Sequence, residues 1–285
     1  MKFAYVLFEI SQRIITGIRT PLFLIILTGL FYSACVEEVD WKLKSQDNGR
    51  LVVEAILTNQ TKIQQVRLSL SFDELSQEAI NVDDADVKVT AGGEVYSFRR
   101  SLLDPGLYLS REPFSARKDQ IYTLSIYWNN EIYEASEELS FVAPLGRITF
   151  LPVSGGDSLK INQVAPVYHP LEQSMYEIFV DWQPINPMIP RGARLFYYTF
   201  STIDGNEIFR PAMDELIFPR GSRVIVHKYG LDAGFAEYLR TLVMETQWQG
   251  GVFDEASSSL ESNISIGALG YFSVCAVLSD TLLAR

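Results

Sequence analysis

The sequence predicts a mainly β protein. It should hold an N-terminal antiparallel β-sandwich, Ig-like or transthyretin-like, followed by a second β-rich domain with one amphipathic helix in the C-terminal half. Three observations predict this. Short runs of strand period recur between Leu51 and Ala135, turn residues divide them at the spacing of sandwich strands, and only one segment, beginning at Asp232, carries a clear helical period.

The run from Leu51 to Leu57 is apolar and rich in β-branched residues, and it ends at Thr58 and Asn59. From Val66 to Phe72 the alternation is strict: Val66, Leu68, Leu70 and Phe72 share one face, and Arg67, Ser69 and Ser71 the other. The strand Val87 to Thr90 is joined to Val95–Phe98 by Gly92 and Gly93, which suit a tight hairpin. Asp104, Pro105 and Gly106 form a turn signal ahead of Leu107 to Leu109. Tyr122 to Trp128 alternates again, Asn129 and Asn130 make a tight turn, and Ile132 to Ala135 returns. No cysteine pair supplies the inter-sheet disulfide of an immunoglobulin domain, so the expectation concerns architecture alone.

Pro144 and Gly146 interrupt the pattern, which places domain limits at 49–143 and 147–285. The second unit should begin with a strand at Arg147 to Phe150. Further strands are expected at Tyr176 to Trp182, Leu195 to Phe200 and Arg223 to Lys228, with a Pro-rich loop from Pro184 to Pro190 between the first two of these. In Asp232 to Met244 the apolar residues Phe235, Tyr238, Leu239, Leu242 and Val243 form one stripe, with Asp232 as N-cap and Glu237 one turn from Arg240. This stripe should pack on a sheet. An acidic, Ser-rich loop from Asp254 to Ser259 follows.

The N-terminal region carries its own address. Lys2, Arg13 and Arg19 precede an uncharged run from Pro21 to Ala34, which is shorter than the ~20 apolar residues of a spanning helix and within the range of a signal peptide. Ser33 and Ala34 immediately precede Cys35, an arrangement that resembles a bacterial lipobox, with Tyr32 in place of the usual aliphatic residue. Residues 1–34 are therefore read as a lipoprotein signal peptide and Cys35 as the lipid-modified N-terminus, held in a membrane by its acyl chains. An uncleaved anchor, or an ordinary cleaved signal with Cys35 a buried thiol, are the alternatives. Residues 35–48 form a tether in which Glu37, Glu38 and Asp40 stand close to the anchor. Acidic residues at that place resemble a surface-export signal.

Composition excludes several functions. With 47% hydrophobic residues the chain can bury a core, and its net charge of −11 argues against a nucleic-acid partner. Two Cys and two His would all be needed for a four-ligand zinc site. Neither His169 nor His227 has a metal-ligand spacing, and Asp83, Asp84 and Asp86 lack the Gly and terminal Glu of a calcium loop, so no metal or cofactor is expected. No nucleophile elbow, phosphate-binding loop, dinucleotide glycine pattern or zincin motif occurs, so no catalytic residue is assigned. Cys275 lies in an apolar strand and reads as a buried, inert thiol. Phe196, Tyr197 and Tyr198 could form a binding platform, although consecutive strand residues face opposite ways and at least one should be core.

Several of these segments together resemble a family of Bacteroidota outer-membrane lipoproteins known as a domain of unknown function. They are Cys35, Leu51 to Asn59, Ala85 to Val89, Gly106 to Tyr108, Ile121 to Ile126, Tyr133 to Ala135, Glu237 to Arg240, Ser262 to Ile264 and the closing run Gly267 to Ser273. The resemblance implies a cell-envelope accessory of the kind often encoded beside TonB-dependent transporters, and it supplies no catalytic residues. The expectation is a non-enzymatic, lipid-anchored, surface-exposed outer-membrane protein that assists a transporter barrel in nutrient uptake. A structural or assembly factor of the envelope, and a hydrolase with a loop-built site, are the alternatives. Gly267 and Gly270 are expected to be structural: they permit backbone geometry that a Cβ resists.

Overall fold

In the computed structural model, residues 49–71, 80–154, 156–185, 187–188, 192–202, 215–246, 260–265 and 267–285 are described. The expected signal peptide and tether, Cys35, Phe72 and the loop Asp254 to Ser259 lie outside these residues.

The first sheet is built where the alternation is cleanest. Its strands are β1 (Leu51–Thr58), β2 (Gln65–Leu70), the short β3 (Ile80–Asn81), β4 (Asp86–Ala91), β5 (Glu94–Arg100), β6 (Leu107–Ser110), β7 (Ile121–Trp128) and β8 (Glu131–Glu138). All pair antiparallel with their neighbours, in the order β1-β2-β6-β5-β4-β7-β8, with β3 on β2. The turns take the backbone forms their residues permit. Gly92, Gly93, Gly106, Asn129 and Asn130 all have positive φ, as two-residue hairpins and a tight turn require. Inward residues such as Val53, Leu68, Val89, Leu124 and Ile126 are wholly or almost wholly buried and form one core.

A further strand completes this sheet from the far end of the chain. β15 (Leu269–Cys275) lies parallel to β1, with Val53 opposite Gly270 and Leu57 opposite Val274. The two ends of the sheet then meet: Ser140, just past β8, bridges Cys275, and its N–H donates to the Val274 carbonyl at 2.9 Å. The rolled sheet therefore hides its edges, which would otherwise invite mispairing.

The second sandwich packs two small sheets face to face. One holds β12 (Gly192–Thr199), β11 (Ser174–Asp181), β14 (Arg223–Gly230) and β16 (Val277–Leu283), in that order. The other holds β13 (Ile217–Pro219), β10 (Ser158–Gln163) and β9 (Thr149–Pro152). Tyr176, Ile178, Val180, Val224 and Val226 on one side meet Leu159 and Phe218 on the other. β3, β10 and β13 are absent from the sequence reading because they are short or polar and lack clean alternation.

The sequence reading places 269–275 within 147–285, whereas its pairing with β1 puts it in the first sheet. After Ala276 the same segment continues as β16 in the second, so one C-terminal stretch serves both sandwiches, and Gln46–Arg285 form one compact unit. The helix α1 (Ala233–Thr246) begins where Asp232 accepts a hydrogen bond from the Phe235 N–H at 2.8 Å, the expected N-cap. Its buried residues Phe235, Ala236, Leu239 and Val243 cover Met175, Phe200, Tyr271 and Cys275 at the junction of the two sandwiches. No helix among the described residues is long and apolar enough to cross a membrane.

Candidate functional site

Strand alternation leaves each sheet with an outward face, and at the junction two such faces and the helix enclose a cleft. From the first sandwich come Glu54 and Ile56 of β1 and Arg67 of β2; Glu54 and Arg67 lie opposite one another across the pair. From the second come Met175 and Glu177 of β11, Arg194 and Phe196 of β12, and Tyr229 of β14. Tyr238, Leu239 and Leu242 of α1 form a third wall, and Tyr271 and the loop residue Lys62 complete it. The cavity measures about 540 Å³, within the usual range of small-ligand sites.

The loop that carries Lys62 is held from beneath by a side chain. Gln64, fully buried, donates from Nε2 to the carbonyls of Thr58, Gln60 and Phe114 at 3.2, 3.1 and 2.8 Å, and its Oε1 accepts from the Thr58 N–H at 3.1 Å. A polar side chain so thoroughly bonded in a core fixes one loop conformation, because any other leaves its amide unpaired.

Charge in the cleft is organised around Glu177. Its carboxylate accepts a hydrogen bond from Tyr229 Oη at 2.9 Å and pairs with Arg194 Nε at 3.1 Å. Burial pushes the Tyr229 phenol up, and the neighbouring Glu177 charge adds to this, so the hydroxyl stays a donor at neutral pH. Burial lowers the Lys62 ammonium while Glu177 pulls it back up. Tyr238 and Tyr271 are also raised, chiefly by burial. On the opposite wall Arg67 makes a two-pronged bond with Asp104 at 3.1 and 2.5 Å. The cleft thus presents aromatic surface between groups of both signs. Such a wall can hold a ligand that carries both charges and apolar side chains.

The residues singled out in the sequence fall in different places. Of the three aromatics on β12, Phe196 is 43% exposed in the cleft, Tyr197 packs on the second core, and Tyr198 stacks on Phe200 with centroids 5.8 Å apart. Asp83 pairs with Arg100, Asp84 accepts from Trp128 Nε1 at 2.8 Å, and Asp86 pairs with Lys88. Each of these acids has its own protein partner, and no group of three metal-ligating side chains occurs among the described residues. Cys275 is fully buried, and burial pushes its thiol up to about 12. His169 lies at the surface end of the 166–170 loop, where its Nδ1 accepts from the Leu171 N–H at 3.3 Å.

His227 is better placed than its sequence context suggests. It stands between Glu177 and Ser279 in the register of the second sheet, and its Nδ1 lies 2.6 Å from Ser279 Oγ. Burial lowers its pKa, with Glu177 opposing, which favours the neutral ring. A hydrolytic triad needs an acid on the other ring nitrogen. Among the described residues no acid bonds to it, and Ser279 Oγ is also taken by Gln60 Nε2 at 2.8 Å. The pair therefore braces β14 and β16 against the Gln60 loop.

Glu177, Arg194, Tyr229 and Lys62 were not singled out in the sequence. A usable signal was present for one of them: Glu177 is a carboxylate set among apolar residues in the middle of strand 174–181, at the outward phase of its alternation. For the rest, nothing local distinguishes a cleft residue from any other surface residue.

Comparison with known proteins gives one family and a set of distant sandwiches. A family model described as Domain of unknown function (DUF4249) matches residues 36–281. No curated protein matches. Among solved structures, a two fibronectin type-III domain segment of chicken tenascin is 11% identical with a TM-score of 0.19, over 66% of this chain and 93% of the other. A DUF4785 family protein from Legionella pneumophila is 12% identical with a TM-score of 0.18, and the match covers 62% of this chain and 52% of the other. The FN1–FN3 domains of chicken CNTN1 are 9% identical with a TM-score of 0.20, over 63% and 60%. The mainly β architecture rests on this chain's own sheets.

Proposed function

We propose, from the premise that this chain belongs to the family described as Domain of unknown function (DUF4249), that it is a lipid-anchored, surface-exposed protein of a Bacteroidota outer membrane. On this reading it is not an enzyme, and it serves a TonB-dependent transporter by holding a short peptide in the cleft between its sandwiches. The observation that carries the binding role is the cleft: an aromatic floor of Phe196, Tyr229, Tyr238 and Tyr271, with Glu54 to meet an amine, Lys62 to meet a carboxylate, and the Glu177–Arg194 ion pair on the same walls. Groups of both signs beside apolar surface suit a zwitterionic ligand with apolar side chains, as a short peptide is.

The anchor is supported by the Ser33-Ala34-Cys35 arrangement and by the family match, which begins at residue 36, one position past Cys35. Two measurements test the reading. Cells carrying Cys35→Ala should release the protein from membranes, and continued fractionation with lipid would count against the anchor. Isothermal calorimetry with a library of short peptides should detect binding that Phe196→Ala with Tyr238→Ala weakens at least tenfold. If no peptide binds, or if the double variant binds as the parent does, the cleft is not the ligand site. Cross-linking in the native membrane should recover a transporter barrel.

A further inference from the structure

We propose that the end of the first sandwich where the chain enters it rests directly on the lipid surface, with Leu102 and Leu103 as the inserted tip. The strand register puts several loops on one rim. β1 starts there at Leu51, β2 ends there at Leu70, β5 ends at Arg100, and β7 turns into β8 through Asn129 and Asn130. The rim carries the largest apolar exposure of this sandwich: Leu102 is 90% exposed, Leu103 96%, Ile132 63%, Ile80 55% and Tyr127 48%. Leu102 and Leu103 are adjacent in the chain and almost wholly exposed, and an exposed apolar pair of this kind marks a contact surface.

The tip is held in place rather than left as a loose loop. Ser101 Oγ accepts from the N–H groups of Leu103 and Asp104 at 3.2 Å each, and the Leu107 N–H closes the turn on the Asp104 carbonyl at 3.2 Å. Asp104 is in turn gripped by Arg67. Three ion pairs stand around the tip, Arg67 with Asp104, Arg100 with Asp83 and Lys88 with Asp86. An apolar tip among paired charges suits an acyl-chain interior and makes no demand for anionic headgroups.

The position of the chain's entry selects lipid as the occupant. Gly49, whose N–H donates to the Ser71 carbonyl at 3.1 Å, lies on the same rim. The Cys35 proposed above as the acylated residue precedes it by 14 positions, a reach of at most about 50 Å when extended. The proposal rests on that anchored reading, and it gives the anchored body an orientation. Rim down, β15 rises from the membrane side at Leu269 and passes into β16, so the second sandwich points away from the lipid.

The test uses the acylated protein reconstituted into phosphatidylcholine vesicles, labelled with an environment-sensitive dye at Leu103→Cys, Cys275 being buried. A second preparation is labelled at Val95→Cys, an exposed position at the opposite end of the same sandwich. The expected result is a blue-shifted emission at 103, quenched by spin-labelled lipid, with water-like emission at 95. If protein is vesicle-bound but both dyes read water, or both shift alike, the rim contact is overturned and the anchor stands. If no protein enters the vesicle fraction, the anchored reading fails and the rim contact falls with it.

Discussion

Lys228 and Glu172 form an ion pair inside the second sandwich, where the lysine side chain is 2% exposed and the glutamate 22%. The same ammonium donates to the Pro144 carbonyl at 3.0 Å and lies over the Tyr176 ring, 5.4 Å from its centroid. Three partners surround one buried cation, and one of them belongs to the linker between the sandwiches. Breaking such a pair from one side leaves an uncompensated charge, whereas replacing both partners by apolar groups removes the problem. Glu172→Ala should therefore cost about 3 kcal/mol in urea unfolding, while Lys228→Met combined with Glu172→Leu should be close to neutral. Equal losses in both proteins would show that the pair's charge is not what matters there.

The pair also sets an acid limit. Burial alone would raise the Glu172 carboxyl, but hydrogen bonds from Lys228 and Ser174 and the Lys228 charge outweigh it, and its pKa lies below the ordinary value. Below the usual Glu pKa of about 4.3 the unfolded chain then binds more protons than the folded one. Stability from this group is complete above that pH and is lost as pH falls through the folded value. Urea midpoints followed down a pH series should fall in this window, and they should fall less steeply in the Lys228→Met, Glu172→Leu protein. Parallel curves would refute the assignment.

Gly270 is required by the parallel pairing of β15 with β1. Its φ is +95°, and a Cβ there would sit 2.0 Å from the Val53 carbonyl oxygen. Gly267 also has positive φ, +106°, yet a Cβ would meet nothing closer than Tyr133 Cε1 at 3.7 Å. Gly270→Ala should cost at least about 3 kcal/mol, or prevent folding, and Gly267→Ala only roughly 1–2 kcal/mol of backbone strain. Similar unfolding midpoints for the two variants would contradict this close approach.

Cys275 should be chemically silent in the native protein. It is fully buried, with its thiol pushed up to about 12 by burial despite hydrogen bonds from Ser273 and Ser140. Maleimide labelling should be slower by a factor on the order of 100 or more in native buffer than in urea. Rapid native labelling would mean that the β15–β16 crossing opens readily.

Much of this fold was legible in the residues themselves. The alternation of Val66, Leu68 and Leu70, the paired glycines at 92 and 93, the paired asparagines at 129 and 130 and the stripe from Phe235 to Val243 are local signals. They specify strands, turns and one helix through side-chain period and backbone freedom. Tyr197 turned inward and Phe196 outward for the same reason. Other features have no local signature. The parallel pairing of Val53 with Gly270 joins residues more than two hundred positions apart, and the hydrogen-bonded grip of Gln64 on its loop depends on where Phe114 arrives.

Local chemistry thus determined most of the strands, the helix, their inward faces and the candidate anchor at Cys35. Tertiary structure alone decided that residues 269–283 serve two sheets, that Glu177 meets Arg194 and Tyr229 beside Lys62, and that Leu102 shares a rim with the point of chain entry. The physical reason is the range of the interactions: a strand's faces follow from neighbours two residues away, whereas a cleft forms only where distant outward faces are packed together.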